Sequence, residues 1–315
     1  MKKMSKVVVT GGAGFIGSNL AEELVEQGNN VIIVDDLSTG KVSNINPILQ
    51  NGKTDFINGN ITSLPLLREA FSGADYVFHQ AAIPSVPRSV KDPEASNNAN
   101  INGTLNVLIA ARDNNVKKVV YASSSSVYGD TPTLPKTEDM VPNPLSPYAV
   151  TKLTGELYCQ VFNDIYGLKT VCLRYFNVFG PRQDPHSAYA AVIPLFINLV
   201  LEGKSPVIFG DGEQTRDFSY VKDVVKANIQ AAESQATGIY NLGSSQRITI
   251  NELVNLILEL AKKPDIKAVY QEPRPGDIVH SLSDISKAKA AFGYNPAYSF
   301  KQGLEETFHY SRRST

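Results

Sequence analysis

The chain is 315 residues long, with 42% hydrophobic and 19% charged residues and a formal net charge of -1. Such a length builds one large domain or two unequal ones. The near-zero charge excludes a broad nucleic-acid surface, which needs a basic footprint, so any anionic ligand has to be held by local chemistry. Cys159 and Cys172 are the only cysteines, and they lie in apolar, periodic segments without metal-ligand spacing. They read as two reduced, buried thiols, which points to a cytoplasmic compartment and to no metal site. No secretory leader or membrane span is expected: Val7-Val8-Val9 is too short for a leader's apolar core, and the apolar run 190–201 is interrupted by Pro194 and Asn198.

In chain order, residues 6–10 read as a strand. Residues 15–27 read as a helix, with Phe15, Ile16, Leu20, Leu24 and Val25 on one face and Gly28 just past its end. Further strands are expected at 31–34, 54–57, 76–79, 118–122 and 170–174, and longer helices at 94–114 and 148–166. Strands with little polar alternation, separated by helices, indicate a parallel sheet covered on both faces. Right-handed crossovers make this an α/β, doubly wound (Rossmann) fold. After about Gly180 the turn signals grow denser, at Gly180-Pro181, Gly210-Asp211-Gly212 and 273–276. Residues 1–178 are therefore read as a dinucleotide-binding domain, and 179–315 as a smaller substrate-binding α/β part with a return to the first domain near 212–240.

Thr10-Gly11-Gly12-Ala13-Gly14-Phe15-Ile16-Gly17 lies between the first strand and the first helix. Its glycines let the backbone turn tightly and approach a pyrophosphate, which a helix N-terminus favours. Asp35 follows the second strand, Val31-Ile32-Ile33-Val34. A carboxylate there accepts hydrogen bonds from both ribose hydroxyls of an adenosine and repels a 2′-phosphate, so NAD is expected rather than NADP. The competing reading is a plain glycine turn beside a surface aspartate.

Tyr148-Ala149-Val150-Thr151-Lys152 sets a phenol and an ammonium four residues apart, on one helix face. A tyrosine of pKa ~10 is a poor base at neutral pH. A nearby cation stabilises its phenolate and lowers that value. Upstream, Ser123-Ser124-Ser125-Ser126-Val127-Tyr128-Gly129 follows a strand, and hydroxyls at the end of a parallel strand sit where such sheets bind ligands. Ser124 is placed to relay a proton between a substrate and Tyr148. A Tyr-x-x-x-Lys spacing alone is a common chance match, and serines fill ordinary loops; the combination carries the weight.

With these elements the chain resembles the extended short-chain dehydrogenase/reductases over nearly its whole length. The pattern continues in His79-Gln80-Ala81-Ala82, Asn100-Ile101-Asn102-Gly103-Thr104, Arg174-Tyr175-Phe176-Asn177-Val178-Phe179-Gly180-Pro181-Arg182, Arg216-Asp217-Phe218-Ser219-Tyr220-Val221-Lys222-Asp223, Tyr240-Asn241-Leu242-Gly243 and Arg274-Pro275-Gly276-Asp277. The dehydratases of that family carry an acidic pair where Ser125 and Ser126 stand, and without an acid to drive elimination the resemblance implies epimerisation. It implies a catalytic set of Ser124, Tyr148 and Lys152. It implies NAD contacts from Gly11, Gly14, Phe15, Ile16, Gly17, Asp35, Asp36, Leu37, Ser38, Thr39, Gly40, Asn60, Ile61, Gln80, Ala81, Ala82, Asn100 and Phe176, besides Tyr148 and Lys152. Asn60 departs from the family's usual aspartate near adenine, where its side-chain carbonyl remains an acceptor.

Among family members the chain is most similar to 4-epimerases acting on UDP-N-acetylglucosamine, through Ser85-Val86-Pro87-Arg88-Ser89, Leu134-Pro135-Lys136, Pro144-Leu145-Ser146-Pro147-Tyr148, Ala188-Tyr189-Ala190-Ala191-Val192-Ile193-Pro194 and His280-Ser281-Leu282. The resemblance implies UDP-sugar contacts from Ser85, Val86, Arg88, Ser124, Ser125, Tyr148, Asn177, Ala191, Val192, Arg216, Arg274, Asp277 and Ser281. A bulky tyrosine at the place of Ser281 restricts the family to plain hexoses, so a serine implies that an N-acetyl group is accepted. Space that admits a larger ligand does not by itself reject a smaller one. Pro84 replaces a lysine of the strict UDP-galactose enzymes, in the same direction. The alternatives are an epimerase of plain UDP-hexoses, one of UDP-glucuronate with Arg88 facing the acid, a dehydratase or reductase, and a non-catalytic NAD-binding regulator. A homodimer through the helices at 94–114 and 148–166 is implied by the resemblance.

Overall fold

The computed structural model describes residues 5–185, 190–273 and 279–314. The first half of the chain runs β1 (Lys6–Thr10), α1 (Phe15–Glu26), β2 (Asn30–Asp35), α2 (Asn46–Leu49), β3 (Thr54–Asn58), α3 (Leu64–Ala70), β4 (Tyr76–His79), α4 (Val86–Lys91), α5 (Pro93–Asn97), α6 (Gly103–Asp113), β5 (Lys118–Ser124), α7 (Pro147–Tyr166) and β6 (Thr170–Tyr175). The second half runs β7 (Val178–Phe179), α8 (Val192–Leu201), β8 (Val207–Phe209), β9 (Thr215–Arg216), β10 (Ser219–Tyr220), α9 (Val221–Glu233), β11 (Gly238–Leu242), β12 (Ile248–Thr249), α10 (Ile250–Ala261), β13 (Val269–Gln271), α11 (Ser286–Phe292) and α12 (Phe300–Ser314).

Seven parallel strands make the central sheet, in the order β11-β6-β5-β4-β1-β2-β3. Alternation along each strand feeds two cores. Val7 and Val9 join Ile33, Phe78 and Val120 against Leu20, Leu24 and Val224 on one face. Val8 joins Ile32, Val77 and Val119 against Leu67, Val107 and Phe162 on the other. Both faces are covered, so the strands read as unbroken apolar runs. Each fully buried valine or leucine contributes roughly 1.5–3 kcal/mol of transfer free energy. Helix α9 and strand β11, both beyond Gly180, join the covering layer and the edge of this sheet.

The segment read as one helix over 94–114 is α5, a π-helical turn at Asn98–Asn102, and α6. The turn is fixed by Asn100, whose carbonyl accepts from Ile83 N at 2.8 Å and whose amide donates to Thr151 Oγ1 on α7 at 3.1 Å. Helix α7 opens as its sequence directs: Pro147 occupies the first turn, and the Ser146 hydroxyl accepts from Ala149 N at 3.2 Å. Gly167 closes it in the left-handed conformation.

Strand order reverses between β1 and β4, and a doubly wound sheet opens its ligand crevice at the carboxyl ends flanking such a reversal.

Candidate active site

At that crevice the glycine loop lies directly on the chain leaving β4. Gly11 has φ +69°, and a Cβ on it would stand 2.6 Å from Ala81 N. A Cβ on Gly17 would stand 2.1 Å from Gly11 O. Gly14 precedes Phe15 and Ile16 at the start of α1; no side chain caps the helix and no acid lies in its first turn. A floor without side chains in front of an uncapped helix N-terminus fits the pyrophosphate of NAD.

Asp35 ends β2. Its Oδ2 accepts from Ala13 N at 2.9 Å and its Oδ1 from Leu37 N at 2.8 Å, which leaves lone pairs for ribose hydroxyls. Burial raises its pKa, and these two N–H bonds oppose the rise. Gly40 crosses close to it, since a Cβ there would lie 2.8 Å from Asp35 Oδ1. Asp36 accepts from Ser38 N at 2.9 Å and from the Asn60 amide at 2.7 Å, and Thr39 is exposed beside it. The Asn60 carbonyl accepts from Thr62 N and Thr62 Oγ1, each at 2.8 Å. Ile61 is buried, packed where a Cβ on Gly103 would fall 2.5 Å from its Cδ1.

His79 joins β1 to α6. Its Nδ1 is 2.8 Å from Thr10 Oγ1 and its Nε2 is 2.9 Å from Thr104 Oγ1. Thr104 donates its own proton to Asn100 O at 2.5 Å, so Nε2 carries the ring proton and Nδ1 accepts from Thr10. Burial, and secondarily the Lys152 cation, lower the His79 pKa to about 3, so this link is neutral. The Gln80 side chain donates to Tyr175 Oη at 3.0 Å and Asn228 Oδ1 at 3.1 Å. Ala82 follows Ala81 along the crevice. The Asn100 side chain is engaged by Ile83 and Thr151.

Ser124 is the last residue of β5, and its hydroxyl accepts from Ser126 N at 3.1 Å. Burial pushes the pKa of the Tyr148 phenol up to about 12, and the neighbouring Ser124 hydroxyl draws it back down. Tyr148 is seated by its main chain, which donates to Ser89 Oγ at 3.0 Å, a contact the sequence did not single out. Lys152 is buried; its Nζ donates to Ala122 O at 2.7 Å and stands 5.8 Å from the Tyr148 ring centre. Burial lowers its pKa to about 8, against the opposing charge of Glu156. Ser125 begins the short turn after β5, and the Ser126 hydroxyl is buried without a partner among the described residues. A phenol, a hydroxyl and an ammonium thus converge at the carboxyl end of β5, beside the loop, an arrangement suited to moving a proton.

A cleft of about 320 Å³ is lined by Asn177, Ala191, Val192, Gln214, Arg216 and Phe218 among others. Asn177 Nδ2 donates to Asp217 O at 3.0 Å and to Ser281 Oγ at 3.2 Å. Arg216 Nη1 donates to Thr215 O at 3.0 Å and to Val279 O at 3.2 Å. Asp217, fully buried, was not singled out by sequence, yet it organises this wall. Its carboxylate accepts from Ser244 N and Oγ, both at 2.7 Å, from Ser245 N at 3.2 Å, and from Ser283 N and Oγ at 2.9 and 2.5 Å. Its own N–H donates to Ser281 Oγ at 3.1 Å. Ser85 caps α4 by accepting from Arg88 N at 3.2 Å, and Val86 and Arg88 are exposed on that helix. Phe176 is buried with Val127 and Tyr128. Arg274 and Asp277 lie outside the described residues. Among the described residues no cluster of His, Cys, Asp and Glu is arranged to hold a metal ion, and no helix is long and apolar enough to cross a membrane.

A family profile described as the NAD dependent epimerase/dehydratase family matches residues 7–243. The structure is similar to that of a UDP-N-acetylglucosamine 4-epimerase from Methanobrevibacter ruminantium M1, solved in complex with UDP-N-acetylmuramic acid. That similarity has a TM-score of 0.95 and 46% identity over 99% of this chain and 100% of that one. It is also similar to a UDP-glucose 4-epimerase with UDP-glucose from Thermotoga maritima, with a TM-score of 0.92 and 40% identity over 98% and 99% of the two chains. A putative UDP-glucose 4-epimerase of Methanocaldococcus jannaschii is 40% identical over 311 residues, 98% of this chain and 99% of its own.

Proposed function

The chain belongs to the NAD dependent epimerase/dehydratase family, and on that premise we propose that it interconverts UDP-N-acetylglucosamine and UDP-N-acetylgalactosamine, and also UDP-glucose and UDP-galactose. In coarser terms it is an NAD-dependent UDP-sugar 4-epimerase, an isomerase. The observation that carries the reaction is the Tyr148 phenol with the Lys152 ammonium 5.8 Å behind its ring, Ser124 at the end of β5, and the glycine loop built without side chains.

Gly11, Gly14 and Gly17 would receive the pyrophosphate of NAD and Asp35 an adenosine ribose. When bound, NAD supplies the hydride acceptor and donor together with the positive charge of its oxidised ring. Tyr148 is the general base that takes the proton of the sugar 4-hydroxyl and returns it, with Ser124 bridging the phenol and the substrate. The Lys152 charge favours the phenolate. Loss of the proton and hydride from the substrate leaves a 4-keto sugar, which turns over in the cleft and is reduced on its other face. Asn177 and Arg216 bind the diphosphate, an anion that a guanidinium's planar fork matches well.

The acetylated substrates are supported by Ser281. Its side chain is small, and its hydroxyl is drawn toward Asn177 and the Asp217 N–H. The test is NMR of the sugar C4 configuration, with NAD and either UDP-N-acetylglucosamine or UDP-glucose. UDP-N-acetylgalactosamine forming at least as fast as UDP-galactose supports the reading. UDP-galactose alone would remove the Ser281 argument and leave the epimerase. Turnover of neither sugar would discard both substrates and bring UDP-glucuronate forward.

A homodimer belongs to the same proposal. Val150, Leu157, Val161 and Ile165 follow each other at helical spacing along α7 and are all exposed. An apolar stripe of that kind is suited to a second copy of the chain.

A further inference from the structure

Tyr148, Lys152 and Glu156 follow at four-residue steps along one face of α7. Only the first two have a part in the reaction above. Glu156 is buried, and its Oε1 accepts from Ser123 Oγ at 2.5 Å and from Arg174 Nε at 2.8 Å. Its Oε2 accepts from Arg174 Nη2 at 2.7 Å, with both side chains at most 2% exposed. Ser123 and Arg174 are direct register partners across β5 and β6. Ser123 precedes Ser124, and Arg174 precedes Tyr175-Phe176-Asn177. One carboxylate therefore joins the three elements that carry the proton-handling residues and the start of the cleft wall.

Stability gives a poor reason for placing an ion pair there. Withdrawing two charges from water costs several kcal/mol per ion, and well-packed apolar residues often replace such a pair without loss. The neighbourhood of Lys152 suggests a better one. The Lys152 ammonium faces Ala122 O and the Tyr121 ring, 5.1 Å away, on β5. On its own helix it faces the Tyr148 ring, and Glu156 follows one turn further along the same helix face, its charge opposing the fall in the Lys152 pKa; neutral His79 lies on β4 and, beyond Glu156, Arg174 on β6. Glu156 is the carboxylate in that set.

We propose that Glu156 is a positioning residue of this epimerase: clamped by Ser123 and Arg174, it fixes the register of α7 over β5 and β6 and supplies the buried counter-charge that keeps Lys152 cationic behind Tyr148. The proposal rests on the assignment of Tyr148 as base. Arg174 is the other half of the device. Its guanidinium lies 4.6 Å over the Tyr128 ring, and Tyr128 donates to Asn241 Oδ1 at 2.6 Å, so the clamp is itself anchored to β11.

The experiment is the pH profile of kcat for Glu156→Gln with NAD and whichever of UDP-glucose or UDP-N-acetylglucosamine the wild type converts. Without the carboxylate the Lys152 ammonium loses its proton more readily. The alkaline limb is expected to move to lower pH by about one unit, with KM for the sugar nearly unchanged. The single variant leaves Arg174 unpaired, so Glu156→Gln/Arg174→Gln, which replaces both charges by amides, is measured alongside. Its limb is expected to move in the same direction by less. A folded variant whose rate falls while the limb stays in place overturns the proposal and makes Glu156 structural; if the single variant does not fold, the double decides. A wild type that converts neither sugar overturns the epimerase reading, and this proposal with it.

Discussion

The Lys152 ammonium stands 5.8 Å from the centre of the Tyr148 ring, held at that distance by a 2.7 Å bond to Ala122 O. It acts on the phenol through its charge while its nearest partner is a main-chain oxygen. Removing the phenol oxygen should therefore abolish proton transfer and leave the fold intact. Tyr148→Phe is expected to lower turnover by roughly 10²–10⁴-fold, with an unchanged circular dichroism spectrum. Near-wild-type turnover in this variant would remove Tyr148 as the base.

Lys152 also makes stability depend on pH. Its folded pKa of about 8 lies below the 10.5 of an exposed lysine because the cation is buried. Between those values the unfolded chain holds more protons, so the Lys152 contribution to stability increases as pH rises through that window. Below pH 8 the full cost of burying the cation is present. Urea denaturation of the protein without NAD, compared with Lys152→Met, should show the stability gap between the two changing by on the order of 2 kcal/mol from pH 7 to pH 10, in favour of the wild type at the higher pH. A constant gap would mean that Lys152 titrates in the folded protein as it does in water.

Gly17 leaves no room for a side chain, since a Cβ would stand 2.1 Å from Gly11 O. Gly17→Ala is expected to cost about 1–3 kcal/mol as an overpacked position and to weaken NAD binding measured by calorimetry. Wild-type affinity and melting temperature together would show that the loop is not the pyrophosphate floor.

Ser281→Tyr should fill the space beside the sugar. We expect UDP-N-acetylglucosamine turnover to fall by more than about 100-fold and UDP-glucose turnover by less than about 10-fold, the asymmetry of a pocket that has lost volume. Equal losses would place Ser281 away from the sugar C2.

The stripe on α7 predicts that Leu157→Glu combined with Ile165→Glu, both exposed in the single chain, gives a monomer by analytical ultracentrifugation where the wild type is a dimer. A monomeric wild type would dismiss the second copy.

Much of the fold was legible because its signals are local. Val7-Val8-Val9 is apolar on both faces and lies in the sheet's middle, Tyr76–His79 forms a strand as read, and α7 begins at Pro147, one residue ahead of the start read from the sequence. The π-helical turn at Asn98–Asn102 was not legible, because it depends on Asn100 meeting Ile83 and Thr151, and the latter is 51 positions away. The same distance problem hid the uses of His79, Asp217 and Glu156. Each is a polar residue in an apolar setting, which signals a partner without naming it; the partners lie 25, 66 and 18 residues away. The Asn60 bond to Thr62, two residues on, is an Asx turn, a local signal that the reading of Asn60 as an adenine neighbour did not use.

Asp217 grips the main chain at Ser244, Ser245 and Ser283 through its buried carboxylate, and meets the Ser281 side chain only through its main-chain N–H. Backbone placement and side-chain identity are thereby separated along this stretch: the loop is pinned two residues downstream of the position proposed to read the sugar. A substitution that removes the Ser281 hydroxyl takes an acceptor from Asn177 and from the Asp217 N–H, while the carboxylate's hold on Ser283 remains.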